Sequence, residues 1–197
     1  MRTAISRLAA TELWLQRVVI GQRLCPFAQA VSRPPKLRLV TSDASSVPAA
    51  VIDVSAEVEA IMHRVHDENR LELPETTLVI FDQANPLVRM WPDFVRLSWT
   101  ISEQSVALTG ASGHLQVVLF HPQATHSTYN DGPPDAGDFT IRSPHPTLHL
   151  LREKDLLAAV TGGVPDLALL PQRNRARLRG QGYEACHHRL AGCHGTF

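Results

Sequence analysis

The chain has 197 residues, 44% hydrophobic and 19% charged, so it can bury one sizeable core and is expected to form a single globular domain. Nineteen basic residues balance nineteen acidic ones, which leaves no global field to attract nucleic acid or an anionic membrane. No apolar run approaches the roughly 18 residues of a membrane span, and three scattered cysteines are too few for a secreted disulfide scaffold. These features predict a cytoplasmic protein that does not bind nucleic acid or a membrane.

Apolar spacing and turn residues divide the chain into alternating helices and strands. Helices are predicted at residues 8–22, 48–69, 92–108, 154–160 and 171–179. Strands are predicted at residues 37–41, 76–81, 115–120 and 148–151. This alternation favours an α/β sandwich in which helices pack on one small sheet of about four strands. We expect one domain over residues 1–183 and a tail with Cys and His residues at 184–197, which is a candidate flexible terminus.

The stretch from Leu119 to Glu153 contains four of the ten histidines of the chain and two arginines. A predicted strand leads into His121, and a long irregular segment then leads to the next predicted strand. Long ordered loops that are not linkers commonly bind or catalyse. The sequence therefore predicts where the site lies without specifying a reaction.

Four segments carry a resemblance to a known family. They read VVIGQRLCPFA (18–28), LFHP (119–122), RSPHPTLHLLRE (142–153) and LPQRNRARLRGQG (170–182). In this order they resemble the bacterial family catalogued as domain of unknown function 1415, over about residues 10–183. The resemblance implies that the family's motif positions are Cys25, His121, Asp135, Arg142, His149, Arg152 and Arg173. The chain departs from the family at Ile141 and His145, where members usually have Asn and Tyr, and in the tail that begins at Glu184.

Cys25 lies between a predicted helix and Pro26, which restricts the backbone beside the thiol. Near an arginine or a helix start, such a thiol becomes a thiolate that can act as nucleophile or metal ligand. The alternative is a cysteine packed in the core, as many free cysteines are. The string CPFAQ also resembles the active-site corner of omega-class glutathione transferases, although there it follows a strand.

The histidines of the loop suggest acid, base or metal chemistry. His121 follows a predicted strand, and ligands commonly bind at the carboxyl ends of strands in α/β sheets. His145 and His149 are expected on one face of the next strand. With Cys25, these three histidines could hold one transition-metal ion (Zn, Fe or Cu). The alternative is that each histidine is only hydrogen-bonded to its own loop.

The arginines suggest what binds. Arg142 and Arg173 lie close to the same loop in the predicted order, and guanidinium groups hold carboxylates and phosphates in two-point fashion. With His145 they form the predicted ligand-binding set for an anionic molecule. Alternatively, arginines fasten the loop to its acidic residues, Asp131, Asp135, Asp138 and Glu153. We assign that structural role to Arg152, beside Glu153 and Asp155.

These residues predict an enzyme of unassigned reaction that acts on a small anionic or amino-acid-like substrate. Its catalytic candidates are Cys25, His121, His149 and Asp135, acting with a thiol–histidine pair or around one metal ion. A non-catalytic module that binds a small ligand or a metal is one alternative, and a structural protein whose loop only packs is another. The tail residues Cys186, His187, His188, Cys193 and His194 match no usual structural zinc spacing. The oligomeric state is left open.

Overall fold

The computed structural model describes residues 5–127, 132–154 and 167–194. Its helices are α1 (Arg7–Trp14), α2 (Ala28–Val31), α3 (Val47–His66), α4 (Trp91–Ile101), α5 (Leu170–Gln181) and α6 (Tyr183–Ala191). Wider, π-helical turns at Leu15–Ile20 and Ser102–Ala107 extend α1 and α4, and 3-10 turns occupy Ala136–Thr140, Leu167–Leu169 and Gly192–His194. The strands are β1 (Leu37–Ser42), β2 (Thr76–Phe81), β3 (Leu115–Phe120) and β4 (Thr147–Arg152).

Local sequence sets several helix ends. Ser6 and Ser46 cap the first turns of α1 and α3 by accepting hydrogen bonds from the backbone N–H groups of Ala9 and Ala49. Gly182 separates α5 from α6, and its φ of +88° lies in a region that side chains disfavour. The chain can therefore turn sharply there and start a second helix at once.

The predicted α/β fold is confirmed, with one four-stranded sheet and helices packed on it. The predicted strands agree with the observed ones to within one residue at each end. The predicted helix at 154–160 lies, beyond Lys154, outside the described residues.

The strand order is β1-β2-β4-β3, with β1 and β2 parallel and β4 antiparallel to both of its neighbours. The carboxyl ends of β1, β2 and β3 therefore lie at one edge of the sheet, together with the amino end of β4. His121 follows β3 at this edge and His145 precedes β4 there.

Each face of the sheet has its own core. The first face packs against α3 and α4, with Val54, Ile61, Phe81, Phe94, Leu148 and Leu150 at its centre. The second face packs against α1, α5 and α6, with Trp14, Leu78, Phe139, Leu178, Leu190 and Cys193 at its centre. Because successive strand residues point to opposite faces, the parity of a position decides which core it joins.

The described part of the predicted tail, residues 184–194, is helical and packs against the domain. Cys186 and Cys193 are buried in the second core rather than exposed as a metal-binding terminus. No helix in the described ranges is long and apolar enough to cross a membrane.

Candidate functional site

A groove of about 1150 Å³ opens beyond the carboxyl end of β3. One wall is α4, and the facing wall is formed by the loop after His121 and the start of α6. The α4 wall contributes Met90, Trp91, Pro92, Val95, Arg96 and Trp99. The opposite wall contributes Asp135, Asp138, Arg142, Tyr183 and His187, among others. One wall is thus mainly apolar, and the other carries most of the charged and hydrogen-bonding groups.

His121 does not line the groove but packs behind Trp91, which does. Its side chain is fully buried between the rings of Trp91 and Phe94, at centroid distances of 5.8 and 5.6 Å. Its Nδ1 accepts the N–H of Gln123 (3.0 Å), so the ring hydrogen is on Nε2 and is donated to the carbonyl of Val88 (2.9 Å). Burial lowers the pKa of His121 and favours this neutral form. Both ring nitrogens are therefore engaged by backbone and are not free for a metal or for proton transfer.

Arg142 is built into the polar wall by several contacts. Its Nε donates to the carbonyl of Ala124 (3.0 Å) and its Nη1 donates to the hydroxyl of Tyr183 (3.1 Å). Its guanidinium lies over the rings of Phe139 and Tyr183, at 4.8 and 5.7 Å from their centroids. Trp14 holds its backbone by donating an indole N–H to the Arg142 carbonyl (3.0 Å). Since a guanidinium carries five N–H donors, these contacts leave donors of Arg142 unused on a wall of the groove.

Two carboxylates lie on the same wall. Asp138 is nearly buried, accepts the backbone N–H of His126 (2.9 Å), and has an oxygen 3.6 Å from Nη2 of Arg142. Asp135 accepts from Nε and Nη2 of Arg179 (2.9 and 2.7 Å), which lowers the pKa of Asp135 to about 2. Asp135 also caps the 3-10 turn by accepting the N–H of Gly137 (2.8 Å). The charge of Arg142 is therefore balanced locally, and the wall carries both signs.

Tyr183 begins α6 and brings a hydroxyl to the groove. Its oxygen accepts a hydrogen bond from Arg142, which has no acceptor of its own. Within the described residues the hydroxyl hydrogen has no acceptor, so it remains available to a ligand. The exposed ring of His187 stacks on Tyr183 with centroids 6.0 Å apart and planes 9° apart.

The predicted catalytic residues are not brought together. His149 lies on the second face of the sheet, with its ring 6.3 Å from that of Phe120. Its Nε2 lies 2.6 Å from Oγ1 of Thr76, whose own hydrogen goes to the carbonyl of Leu150, so His149 donates. Burial lowers the pKa of His149 to about 4. This places His149 across the sheet from His121.

Cys25 is also on the side opposite His121. The preceding residue, Leu24, packs against the second core, and its carbonyl accepts from Nδ2 of Asn174 in α5 (2.7 Å). Cys25 itself is partly exposed, and it forms no hydrogen bond to a described histidine. Cys25 and His121 therefore form no thiol–histidine pair, because they belong to elements that pack on different faces of the sheet.

His145 lies at the sheet edge but faces the carboxyl terminus of the described chain. Its ring is 5.6 Å from that of His194, and burial, with a smaller contribution from His194, lowers the pKa of His145 to about 4. Among residues 5–127, 132–154 and 167–194, no three His, Cys, Asp or Glu side chains are arranged to hold a metal ion. The set of His121, His145, His149 and Cys25 does not fit a metal site.

The other two predicted arginines lie elsewhere. Arg173 is exposed on α5 and is not among the residues that line the groove. Arg152 is nearly buried, with Nη2 3.7 Å from the carboxylate of Glu75, which Arg64 approaches to 3.4 Å. Arg152 thus forms an ion pair with Glu75, a partner that the sequence did not suggest. Two of the acidic residues named as possible arginine partners, Asp131 and Asp155, lie outside the described residues.

Sequence reasoning placed Asp135 and Arg142 in the site and missed Asp138, Tyr183, His187 and Trp99 as groove residues. The sequence did distinguish Trp99 from the core residues of its helix. It lies outside the apolar stripe of α4 formed by Phe94, Leu97 and Ile101, and its side chain is 69% exposed. A large aromatic residue on the polar side of an amphipathic helix is a candidate for ligand contact.

A family model described as "Protein of unknown function (DUF1415)" matches residues 6–188. The chain belongs to this family. The resemblance seen in the four sequence segments is thereby confirmed, but the DUF1415 match continues to His188 rather than ending near residue 183. It therefore includes Tyr183, the last residue of the predicted domain, and also His187, which was assigned to the tail. No curated protein and no solved structure matches the chain.

Proposed function

We propose that this protein binds a small, carboxylate-bearing, amino-acid-like molecule in the groove between α4 and α6. The observation that carries the proposal is the pairing of Arg142 with Tyr183, because both side chains keep hydrogen-bond donors that can meet a carboxylate. An apolar portion of the ligand would lie on the α4 wall, against Met90 and Val95.

The charges of the groove favour a zwitterion over a simple anion. The cations Arg96 and Arg142 are balanced by the carboxylates Asp135 and Asp138 among the lining residues. A ligand with an ammonium and a carboxylate can use both signs, whereas a phosphate would also face the two carboxylates. Of the two predicted substrate classes, anionic and amino-acid-like, the charges of the groove favour the amino-acid-like one.

Thermal shift with a panel of amino acids, hydroxy acids and phosphorylated metabolites tests this proposal. A ligand at about 100 times its Kd adds roughly 2.7 kcal/mol to stability, which is several degrees for a domain of this size. We expect amino acids with apolar side chains to give the shift, and Tyr183→Phe to reduce it. Arg173→Ala, which changes an exposed arginine outside the groove, is the matched control and should leave the ligand-induced thermal shift unchanged. A shift by phosphorylated metabolites alone would contradict the proposal.

An enzyme that acts on the same molecule is the second candidate. The observation that favours it is the hydroxyl hydrogen of Tyr183, which lies beside a guanidinium and could be donated to a bound substrate as a general acid. NMR spectra of the ligand after incubation with the wild type, Tyr183→Phe and Asp138→Asn would reveal turnover. Loss of product formation in Tyr183→Phe at saturating ligand would support catalysis, and an unchanged ligand with all three proteins would leave only the binding function.

A cytoplasmic location is part of the proposal. Cys25, Cys186 and Cys193 are all free thiols, and such cysteines suit a reducing compartment. Cell fractionation would test it.

A further inference from the structure

The length and lining of the groove point to a ligand longer than a single amino acid. We propose that the groove binds a short peptide, with its terminal carboxylate at Arg142 and Tyr183 and an upstream side chain on Trp99. This inference rests on the function proposed above and extends it to a substrate class. Three features of the described residues support it.

The first feature is the extent of the apolar wall. The lining residues Trp91, Val95 and Trp99 are spaced four apart, so one whole face of α4 borders the groove. The eight residue steps from Trp91 to Trp99 correspond to about 12 Å of helix. An extended chain advances about 3.3 Å per residue, so three to four peptide residues match this length. A free amino acid would cover only a fraction of it.

The second feature is the position of the carboxylate donors. His121 packs on Trp91 at the start of α4, and its carbonyl accepts the N–H of Ala124 (3.0 Å). The carbonyl of Ala124 in turn accepts from Nε of Arg142. This chain of contacts ties Arg142 to the Trp91 end of the wall. Trp99 lies about two helical turns beyond Trp91, so we infer that the donors and the exposed indole lie toward opposite ends of the groove.

The third feature is the segment of the polar wall that follows His121. Pro122, Gln123 and Thr125 border the groove there, and the intervening Ala124 contacts Arg142. The side chain of Gln123 is exposed there and forms no hydrogen bond within the described residues. Its amide has both a donor and an acceptor, which is what a peptide bond needs. Trp99, 69% exposed, then offers a ring face to the side chain of an upstream residue.

The experiment is isothermal titration of the full chain with L-leucine, glycyl-L-leucine, L-phenylalanyl-glycyl-L-leucine and the C-terminal amide of that tripeptide. The variants are Trp99→Ala and Tyr183→Phe, with Leu108→Ala as the matched control. Leu108 is a 78% exposed apolar residue that does not line the groove. We expect the tripeptide to bind about tenfold more tightly than leucine, the factor that one aromatic contact supplies.

Trp99→Ala should remove this gain without changing the affinity for leucine, and Leu108→Ala should leave both affinities unchanged. Amidation of the tripeptide should weaken binding about tenfold or more, because the carboxylate is lost. If leucine binds and depends on Tyr183 but the tripeptide binds no more tightly, the peptide inference is overturned and the proposed function stands. If no carboxylate ligand binds, or the amide binds as well as the acid, the proposed function itself fails.

Discussion

The guanidinium of Arg142 and the hydroxyl of Tyr183 meet at 3.1 Å, although 41 positions separate them in the chain. The contact joins the loop that follows β3 to the first turn of α6, and both partners line the groove. Removing the Tyr183 hydroxyl should therefore affect both binding and stability. We expect Tyr183→Phe to lower the free energy of unfolding by about 1 kcal/mol, the usual net value of one hydrogen bond, as measured by urea denaturation. A loss above about 3 kcal/mol would mean that the hydroxyl has a larger structural role than this contact implies.

Arg142 should be important for stability as well as for binding. Arg142→Ala removes the hydrogen bonds to Ala124 and Tyr183 and the packing on Phe139, and it leaves nearly buried Asp138 without its cation. We expect the free energy of unfolding to fall by about 2–4 kcal/mol. Arg173→Ala, at an exposed position, should change it by less than about 0.5 kcal/mol. Equal effects of the two substitutions would contradict the assigned role of Arg142.

His121 is expected to act as a structural residue. His121→Ala leaves the carbonyl of Val88 and the N–H of Gln123 without partners and opens a cavity beside Phe94. The expected loss of unfolding free energy is about 3–5 kcal/mol. His114→Ala, at an exposed histidine, is the control and should cost little. A stable His121→Ala variant that has lost only ligand binding or activity would return His121 to the list of site residues.

Burial of His149 predicts a specific pH dependence. Because its pKa is lowered from 6.5 to about 4, the unfolded chain binds a proton that the folded chain rejects between these pH values. His149 therefore makes stability fall as the pH drops from about 6.5 to about 4. In His149→Gln, the slope of unfolding free energy against pH in this window should decrease by about 1.4 kcal/mol per pH unit, the contribution of one proton. Urea denaturation at several pH values measures the slope, and an unchanged slope would refute the assignment.

Asp135 combines an ion pair with a cap, and two variants separate them. Asp135→Asn loses the pair with Arg179 but can still cap Gly137, so we expect a loss of about 0.5 kcal/mol at pH 7. Asp135→Ala loses both and should cost about 1 kcal/mol more. Because the pKa of Asp135 is lowered to about 2, the ion-pair contribution is present above pH 4 and disappears as the pH falls toward 2. If the two variants are equally stable at pH 7, the cap contributes nothing.

The sequence alone determined the fold class, the element order and the neighbourhood of the site. A run of β-branched and apolar residues identified β2, an apolar run identified β3, and the stripe of Phe94, Leu97 and Ile101 identified the buried face of α4. These predictions succeeded because local sequence reflects burial: a strand inside a sheet that is covered on both faces has a continuous apolar run, and a helix covered on one face has apolar residues with period 3.6. The end of β3 indicated the groove because ligands commonly bind at the carboxyl ends of strands in α/β sheets.

Only the tertiary structure decided which of the marked residues share a site. His121 is hydrogen-bonded to the carbonyl of Val88, 33 positions away, and Arg142 to the hydroxyl of Tyr183, 41 positions away. No local sequence pattern encodes such pairs. Cys25 and His121 were separated because their elements pack on opposite faces of one sheet. Helix α6 brought Tyr183 and His187 to the groove, although His187 was predicted to lie in a tail. Periodicity specifies the faces of an element, but the partner of a polar side chain is determined by long-range packing.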